Sequence, residues 1–281
     1  MDKIFIKQID AALKRYLPKD KSSLSSAMRY SAMIGGKRFR SYLSLEACKI
    51  CGGKKADVIP AACAIEMIHT FTLIHDDLPC MDNSDLRRGK PSCHKIFGED
   101  IALLAGDALN TLAFEVIAKN CKPAKVAQVI SCLSRALINV VYGQVIDIQA
   151  ERKNVGLKKL REMHLLKTAA LVQASLKIGG ILGGAKDKQL KAFSNYGYHL
   201  GLAFQIADDI LDATSDSKAL GKPAGLDEKN KKSTYVSILG VEEAKKMASF
   251  HSKKAKKALN QFGKKAENLV LLADFVVNRE K

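Results

Sequence analysis

The chain has 281 residues, of which 47% are hydrophobic and 27% are charged. This balance is typical of a globular protein and excludes a disordered or fibrous chain. The formal net charge of +17 is compatible with an anionic partner, but charge alone does not distinguish nucleic acid, membrane headgroups and phosphorylated small molecules.

The N-terminal segment and the cysteines bear on the compartment. Residues 1–17 are charged and amphipathic, unlike the unbroken apolar segment of a signal peptide, and no uninterrupted apolar run reaches the ~18 residues that cross a bilayer. Seven cysteines, an odd number spread over a long chain, favour reduced thiols over a disulfide framework. We therefore predict a cytoplasmic protein without an integral membrane segment.

Apolar residues recur at spacings of three and four, as they do from Ile101 to Leu112. This is the periodicity of an amphipathic helix, and alternating strand patterns are hard to find. Gly, Pro and polar residues between these runs form short loops, and there is no repeat or domain linker. The pattern predicts an all-α protein in which residues 1–281 form a single domain.

A stretch of lysine pairs lies between Lys245 and Lys265, alternating with apolar residues at helical spacing. A solvated helix face and a nucleic-acid-binding patch are the two interpretations. The first is favoured, because no known nucleic-acid motif or interleaved aromatic series accompanies the lysines. We therefore predict no nucleic-acid partner.

The first acidic motif lies in the segment LIHDDLPCMDNSDLRRG. Asp76 and Asp77 end an apolar run, the helix breaks near Pro79, and Asp82 returns a third carboxylate. Like charges at this spacing repel one another and call for a compensating cation. Taken alone, the motif could equally be a solvated acidic helix end.

The second acidic motif is FQIADDILD, which carries Asp208, Asp209 and Asp212. Asp208 and Asp212 are one helical turn apart and share a face, with Gln205 one turn earlier. Magnesium prefers oxygen ligands and is usually held by one or two carboxylates together with substrate phosphates. Two such motifs in one chain therefore predict Mg²⁺ ions that clamp a diphosphate between them.

Basic and polar side chains accompany both motifs. Two of them, Lys37 and Arg40, follow a flexible Gly35-Gly36 pair, and an arginine pair lies directly after the first motif. The further candidates for anion binding are Arg38, Arg87, Arg88, Lys167, Thr168, Lys222 and Lys232. The lysines alone would be interpreted as surface residues.

His69 lies two helical turns before Asp76, which predicts that both face one cavity. An isolated histidine on an apolar helix is, however, more often a core residue.

The segments GGKRFR, HTFTLIHDDLPCMDNSDLRRG, LLKTAAL, FQIADDILD and GLDEKNKKSTY occur in one order and spacing. Together they resemble the trans-isoprenyl diphosphate synthases, in particular the farnesyl and geranylgeranyl diphosphate synthases of bacteria and plastids. The resemblance runs from about Gly35 to Tyr235. It implies a single all-helical domain around a central cavity, usually in a homodimer. Ser41 departs from the family pattern, which usually has proline at this position.

The resemblance also implies the roles of the candidate residues. The diphosphate of isopentenyl diphosphate would be bound by Lys37, Arg40, His69 and Arg88. The principal Mg²⁺ ligands would be Asp76, Asp82 and Asp208, supported by Asp77, Asp209 and Asp212. The allylic diphosphate would be held by Arg87, Lys167, Thr168, Gln205, Lys222 and Lys232. Of these residues, the catalytic set would be Asp76, Asp77, Asp82, Lys167, Gln205, Asp208 and Asp209.

The expected product is farnesyl diphosphate, with geranylgeranyl diphosphate as the alternative. The preference rests on Phe71, because an aromatic residue five positions before the first motif resembles farnesyl synthases. Helical phase does not establish that Phe71 faces the cavity, and a core-packing ring is the competing interpretation. A catalytically silent partner subunit is the alternative of another class, but such chains typically lose acidic residues that this chain retains. A terpene cyclase would be expected to lack GGKRxR.

Overall fold

The structure is a computed structural model and describes residues 3–150, 155–214 and 233–279. In these residues the chain is largely helical, as the apolar spacing predicts. The helices of the first half are α1 (Lys3–Tyr16), α2 (Ser23–Met33), α3 (Phe39–Ile50), α4 (Lys55–Asp76), α5 (Cys93–Phe97), α6 (Glu99–Asn120) and α7 (Pro123–Ala150). Two short antiparallel strands that periodicity did not predict, β1 (Leu86–Arg87) and β2 (Lys90–Pro91), separate α4 from α5.

The second half continues the helical pattern. Its helices are α8 (Leu157–His164), α9 (Ala170–Leu182), α10 (Asp187–Thr214), α11 (Tyr235–Leu239), α12 (Val241–Ala258) and α13 (Glu267–Asn278). A π-helical segment, Leu165–Ala169, joins α8 to α9, and a 3₁₀ segment, Asn260–Ala266, joins α12 to α13. Hydrogen bonds of the side chains fix the start of α11, where the Thr234 and Ser237 hydroxyls form a reciprocal capping box.

Helix α4 lies at the centre of the first half and packs against α3, α6 and α9. Its side chains Ile65, Met67 and Ile68 are fully buried, which places the carboxyl end of α4 and its aspartates against the core. In the second half, α10 packs against α9 and α12. The two helices that carry the acidic motifs are therefore each fixed by apolar packing, and the all-α fold class is confirmed.

By length and composition, four helical stretches are apolar enough to cross a membrane: Lys55–Asp76, Glu99–Asn120, Pro123–Ala150 and Leu157–Leu182. The sequence expectation missed them because it required an uninterrupted apolar run. In the first and last of these, 67% of the most apolar window is buried inside the protein. The shares for α6 and α7 are 39% and 28%, so these two helices carry apolar residues that the described chain does not cover.

Candidate active site

The first acidic motif is shaped by the end of α4. Asp76 is the last helical residue, and the loop after it folds back, since the Asp82 N–H donates to the Asp76 carbonyl at 2.9 Å. Burial raises the pKa of Asp76 to about 6, opposed by nearby Lys167 and reinforced by Asp82. Both burial and the neighbouring Asp82 therefore disfavour the charged form of the Asp76 carboxylate.

Asp77 is turned into the protein and is 2% exposed. The Arg87 Nε lies 3.1 Å from both of its carboxylate oxygens, and a second guanidinium nitrogen also donates to it. Burial nevertheless raises the pKa of Asp77, and the Arg87 hydrogen bond opposes this shift. The β1–β2 hairpin thus ties Arg87 to the first motif, and sequence reasoning did not foresee this pairing.

The neighbouring arginine, Arg88, faces a different region. Its backbone is left-handed, with φ 55°, and its guanidinium donates to the Gly35 carbonyl. A Cβ on Gly36 would lie 2.6 Å from that guanidinium, so the glycine permits the close approach. The left-handed turn therefore sends Arg87 and Arg88 to separate regions of the site.

A cavity of about 470 Å³ lies beside Arg88 and carries strongly basic walls. Its lining includes Lys37, Arg40 and His69, which are three of the residues that the sequence assigned to one diphosphate. Burial lowers the pKa of Arg40 to about 10, so it stays cationic at neutral pH. Burial and then Arg40 hold the pKa of His69 well below its usual value, so the imidazole is neutral there. Asp76 does not line this cavity, which differs from the expectation that His69 and Asp76 share one.

Arg38 also reaches this cavity, but it is buried and holds the fold together. Its guanidinium donates to Asp10 at 2.8 Å and to Glu66 at 3.4 Å. The same Glu66 accepts from the Ser41 backbone N–H at 3.2 Å and from its hydroxyl at 3.0 Å. A proline at this position would lose both bonds, which gives the departure from the family pattern a physical reason.

The second acidic motif lies on α10. Gln205 Nε2 donates to Asp209 at 3.2 Å, and the Thr168 hydroxyl donates to Gln205 at 3.2 Å. The other oxygen of Asp209 accepts from the Tyr235 backbone N–H at 2.8 Å. The motif is therefore linked by hydrogen bonds both to the π-helical segment and to the start of α11, and Tyr235 is a contact that the sequence analysis missed.

The remaining two carboxylates of this motif behave differently from each other. Asp208 accepts from an Arg279 guanidinium nitrogen at 2.5 Å. A carboxylate oxygen of Asp212 is buried and has no hydrogen-bond partner within the described part of the chain. An acceptor left in this condition is costly and suits a donor or cation supplied from outside.

Lys167 lies between the two motifs. It donates to Asp147 of α7 at 2.5 Å, it influences the pKa of Asp76, and it lines a cavity of about 140 Å³ together with Gln205 and Asp209. Sequence reasoning missed Asp147, although a carboxylate within the apolar run VVYGQVIDI was a usable signal. The predicted residues Lys222 and Lys232 lie outside the described residues.

The fit of Mg²⁺ to this site rests on the donor set. Among residues 3–150, 155–214 and 233–279, no three His, Cys, Asp or Glu side chains are close enough together to hold a metal ion. Arg87 and Arg279 instead pair with one carboxylate in each motif. The excess carboxylate charge at Asp76 and the unpartnered Asp212 oxygen are nevertheless hard oxygen donors of the kind that Mg²⁺ takes. The residues therefore offer oxygen donors that fit Mg²⁺, while two of the carboxylates are paired with arginines in this structure.

Comparison with known proteins identifies the class. The polyprenyl synthetase family model matches residues 21–270, and this chain belongs to that family. The Arabidopsis thaliana heterodimeric geranylgeranyl pyrophosphate synthase large subunit 1 is 44% identical, over 97% of this chain and 76% of that protein. Geranylgeranyl pyrophosphate synthetase from Pyrococcus horikoshii shares the fold with a TM-score of 0.92, at 35% identity, covering 99% of this chain and 97% of that one.

A polyprenyl synthase from Caulobacter crescentus, solved with calcium and isoprenyl diphosphate, has a TM-score of 0.91 at 28% identity, with 99% of this chain and 96% of that chain covered. The chain is a short-chain trans-prenyltransferase of isoprenoid biosynthesis. Between the two products weighed from the sequence, these relatives support geranylgeranyl better than farnesyl diphosphate. The predicted cytoplasmic location is wrong, because relatives from Arabidopsis thaliana, Catharanthus roseus and Capsicum annuum are chloroplastic.

Proposed function

We propose that this chain is a magnesium-dependent geranylgeranyl diphosphate synthase that adds isopentenyl diphosphate to allylic diphosphates. The observation that carries this proposal is the presence of two separate regions for anions. Lys37, Arg40, His69 and Arg88 line one cavity, whereas Arg87 and Lys167 lie beside the acidic motifs. A condensation of two diphosphates needs both regions, one for each substrate.

The reaction breaks the carbon–oxygen bond of the allylic diphosphate and forms a carbon–carbon bond to isopentenyl diphosphate, after which the new chain loses a proton to the released diphosphate. Bound Mg²⁺ supplies charge neutralisation for the departing diphosphate. Lys167 and Arg87 neutralise the same group from the protein side, and the Thr168 hydroxyl holds Gln205 in position beside it by a hydrogen bond. The ring N–H of the neutral His69 can donate a hydrogen bond to the diphosphate in the basic cavity without adding charge.

The test is an assay of purified protein with isopentenyl diphosphate and dimethylallyl, geranyl or farnesyl diphosphate, with and without EDTA. We expect a twenty-carbon product, identified by chromatography after dephosphorylation, and no turnover with EDTA. Asp76→Asn and Asp208→Asn should each lower kcat by about 10³-fold while circular dichroism stays unchanged. Near-normal rates in either variant at saturating Mg²⁺ would contradict the metal assignment, and a fifteen-carbon product would contradict the chain length.

Phe71 is the candidate that bears on product length. Its ring is half-buried and packs edge-on against His75 at 4.9 Å, and the His75 Nε2 lies 3.0 Å from the Leu103 carbonyl of α6. The ring therefore lies at the α4–α6 contact, five residues before Asp76 on α4. If it forms the floor of the chain pocket, Phe71→Ala adds at least one isoprene unit to the main product. An unchanged product distribution would place the floor elsewhere.

We further propose a homodimer formed through an exposed apolar face on α6 and α7. The face consists of Leu103, Leu104, Ile138, Val141, Tyr142, Val145 and Ile148, each 44% to 62% exposed. Exposed large apolar side chains concentrated on two consecutive helices are typical of an interface, and one face can pair with its own copy about a two-fold axis. Light scattering should give a dimer for the wild type and a monomer for Tyr142→Lys combined with Val145→Lys. Phe250→Lys, at a residue 52% exposed on α12, is the matched control. A wild-type monomer would favour a different subunit as partner, as the name of the Arabidopsis relative describes.

A further inference from the structure

The side chain of Arg279 lies at the boundary between the basic cavity and the second acidic motif. It is 7% exposed and lines the basic cavity. One terminal nitrogen donates to Asp208 at 2.5 Å and to the Phe204 carbonyl at 3.2 Å. The guanidinium also lies over the Phe204 ring, 4.1 Å from its centroid. Arg279 thus bonds to two residues that precede it by 75 and 71 positions in the chain.

We propose that Arg279 is a built-in cation that occupies Asp208 until a divalent metal ion replaces it. This inference rests on the proposed metal-dependent function, because Asp208 is a metal ligand only there. A guanidinium and a divalent cation repel each other, so each weakens the binding of the other at the same carboxylate. The ion pair with Arg279 therefore competes directly with metal binding at the second motif.

A second region is available to the Arg279 side chain when a metal ion displaces it from Asp208. Its Nε is buried without a hydrogen-bond partner in the described residues, so the present position leaves part of its donor capacity unused. The basic cavity that it lines is the region we assign to a diphosphate, and an anion there would accept from the displaced guanidinium. Filling the cavity should therefore favour metal binding, and by linkage the metal should favour anion binding.

The same arginine connects the second motif to GGKRFR. Phe204 packs against Phe39, with ring centroids 5.5 Å apart, and Phe39 lies between Arg38 and Arg40. The guanidinium of Arg279 covers the Phe204 ring of this pair. Removing its charge while keeping an apolar stem should accordingly leave the packing in place, which makes Arg279→Met the informative substitution.

The experiment measures binding of Mn²⁺ alone to the full-length, substrate-free chain, by loss of the free-ion electron paramagnetic resonance signal. Arg279→Met should bind Mn²⁺ about fivefold to tenfold more tightly than the wild type, because the repulsion between the Arg279 guanidinium and the metal ion is removed. Arg279→Gln, a second uncharged variant, should also bind more tightly, and Arg279→Lys should stay close to the wild type. Lys256→Gln is the matched control: it removes a cation paired with Asp274 at 2.5 Å, away from the site, and should change the affinity by less than about twofold.

Two failures can be told apart. If the wild type binds Mn²⁺ and Asp208→Asn removes that binding, the metal site stands, and equal or weaker binding by both uncharged Arg279 variants would overturn the competing-cation role alone. If Asp208→Asn leaves the wild-type binding unchanged, the metal assignment of the proposed function fails, and this inference fails with it.

Discussion

Individual charged residues at the site are mostly paired within the chain itself. Asp77 pairs with Arg87, Asp208 with Arg279, and Lys167 with Asp147. An isolated buried charge is far more costly than a paired one, so these contacts stabilise the site in the absence of bound ions. Under the proposed function, the same residues would change partners when a diphosphate and metal ions bind.

At the scale of single residues, we expect the adjacent Arg87 and Arg88 to serve different substrates. Arg88→Ala should raise the KM for isopentenyl diphosphate by about 10- to 100-fold, because its guanidinium belongs to the basic cavity. Arg87→Ala should instead affect the allylic substrate, and it also leaves the buried Asp77 carboxylate unpaired. Steady-state kinetics with each substrate varied in turn measures both effects. Equal losses for both substrates in both variants would refute the separation.

The sequence predicted the acidic and basic motifs but not all of their partners. Neighbouring carboxylates are visible as a local pattern, whereas the pair of Asp208 with Arg279 joins positions 71 residues apart. Arg279 also lies beyond the stretch that carries the family resemblance. Only the folded packing of α13 against α10 brings the two together, so no local pattern could have identified this contact.

Among the helices, the contact between α7 and the π-helical segment positions Lys167. Gly143 of α7 lies so close that an added Cβ would be 2.3 Å from the Lys167 backbone nitrogen. Periodicity predicted the helices on both sides, but not the π-helical turn, because one extra residue per turn does not disturb the apolar pattern enough to be seen. Such segments often occur at functional sites, and this one contains both Lys167 and Thr168.

Gly143→Ala should therefore displace the π-helical segment and move Lys167 away from Asp147. We expect an unfolding free energy lower by about 1 to 3 kcal/mol, from overpacking against backbone atoms. Turnover should fall because Lys167 no longer holds its place between the motifs. Urea denaturation and kcat check the two effects. Gly156→Ala is the control, since a Cβ added at Gly156 would meet no atom within 4 Å and its effect should be small. A stable, fully active Gly143→Ala variant would refute the close contact.

For the molecule as a whole, buried histidines predict how stability depends on pH. His69 on α4, His164 on α8 and His251 on α12 all have pKa values lowered mainly by burial, to about 4 for His164 and His251. A histidine with a depressed folded pKa contributes stability above its unfolded pKa of ~6.5, and that stability is lost as pH falls toward the folded value. Asp76, with its pKa raised to about 6, acts in the opposite direction.

Burial also lowers the pKa of His199 and raises that of Asp77, which gives four such histidines against two opposing carboxylates. The metal-free protein should therefore lose stability between about pH 6.5 and pH 4. His164 is the best position for a test, because it is 6% exposed, its ring lies 5.5 Å from that of Tyr235, and its Nδ1 has no hydrogen-bond partner among the described residues. At pH 5 its depressed pKa should cost about 2 kcal/mol. The unfolding free energies of wild type and His164→Gln, measured by urea denaturation in EDTA at pH 7.5 and pH 5, give the comparison. The variant should lose about 2 kcal/mol less than the wild type on acidification. An equal loss in both would show that protonation of His164 is not coupled to unfolding.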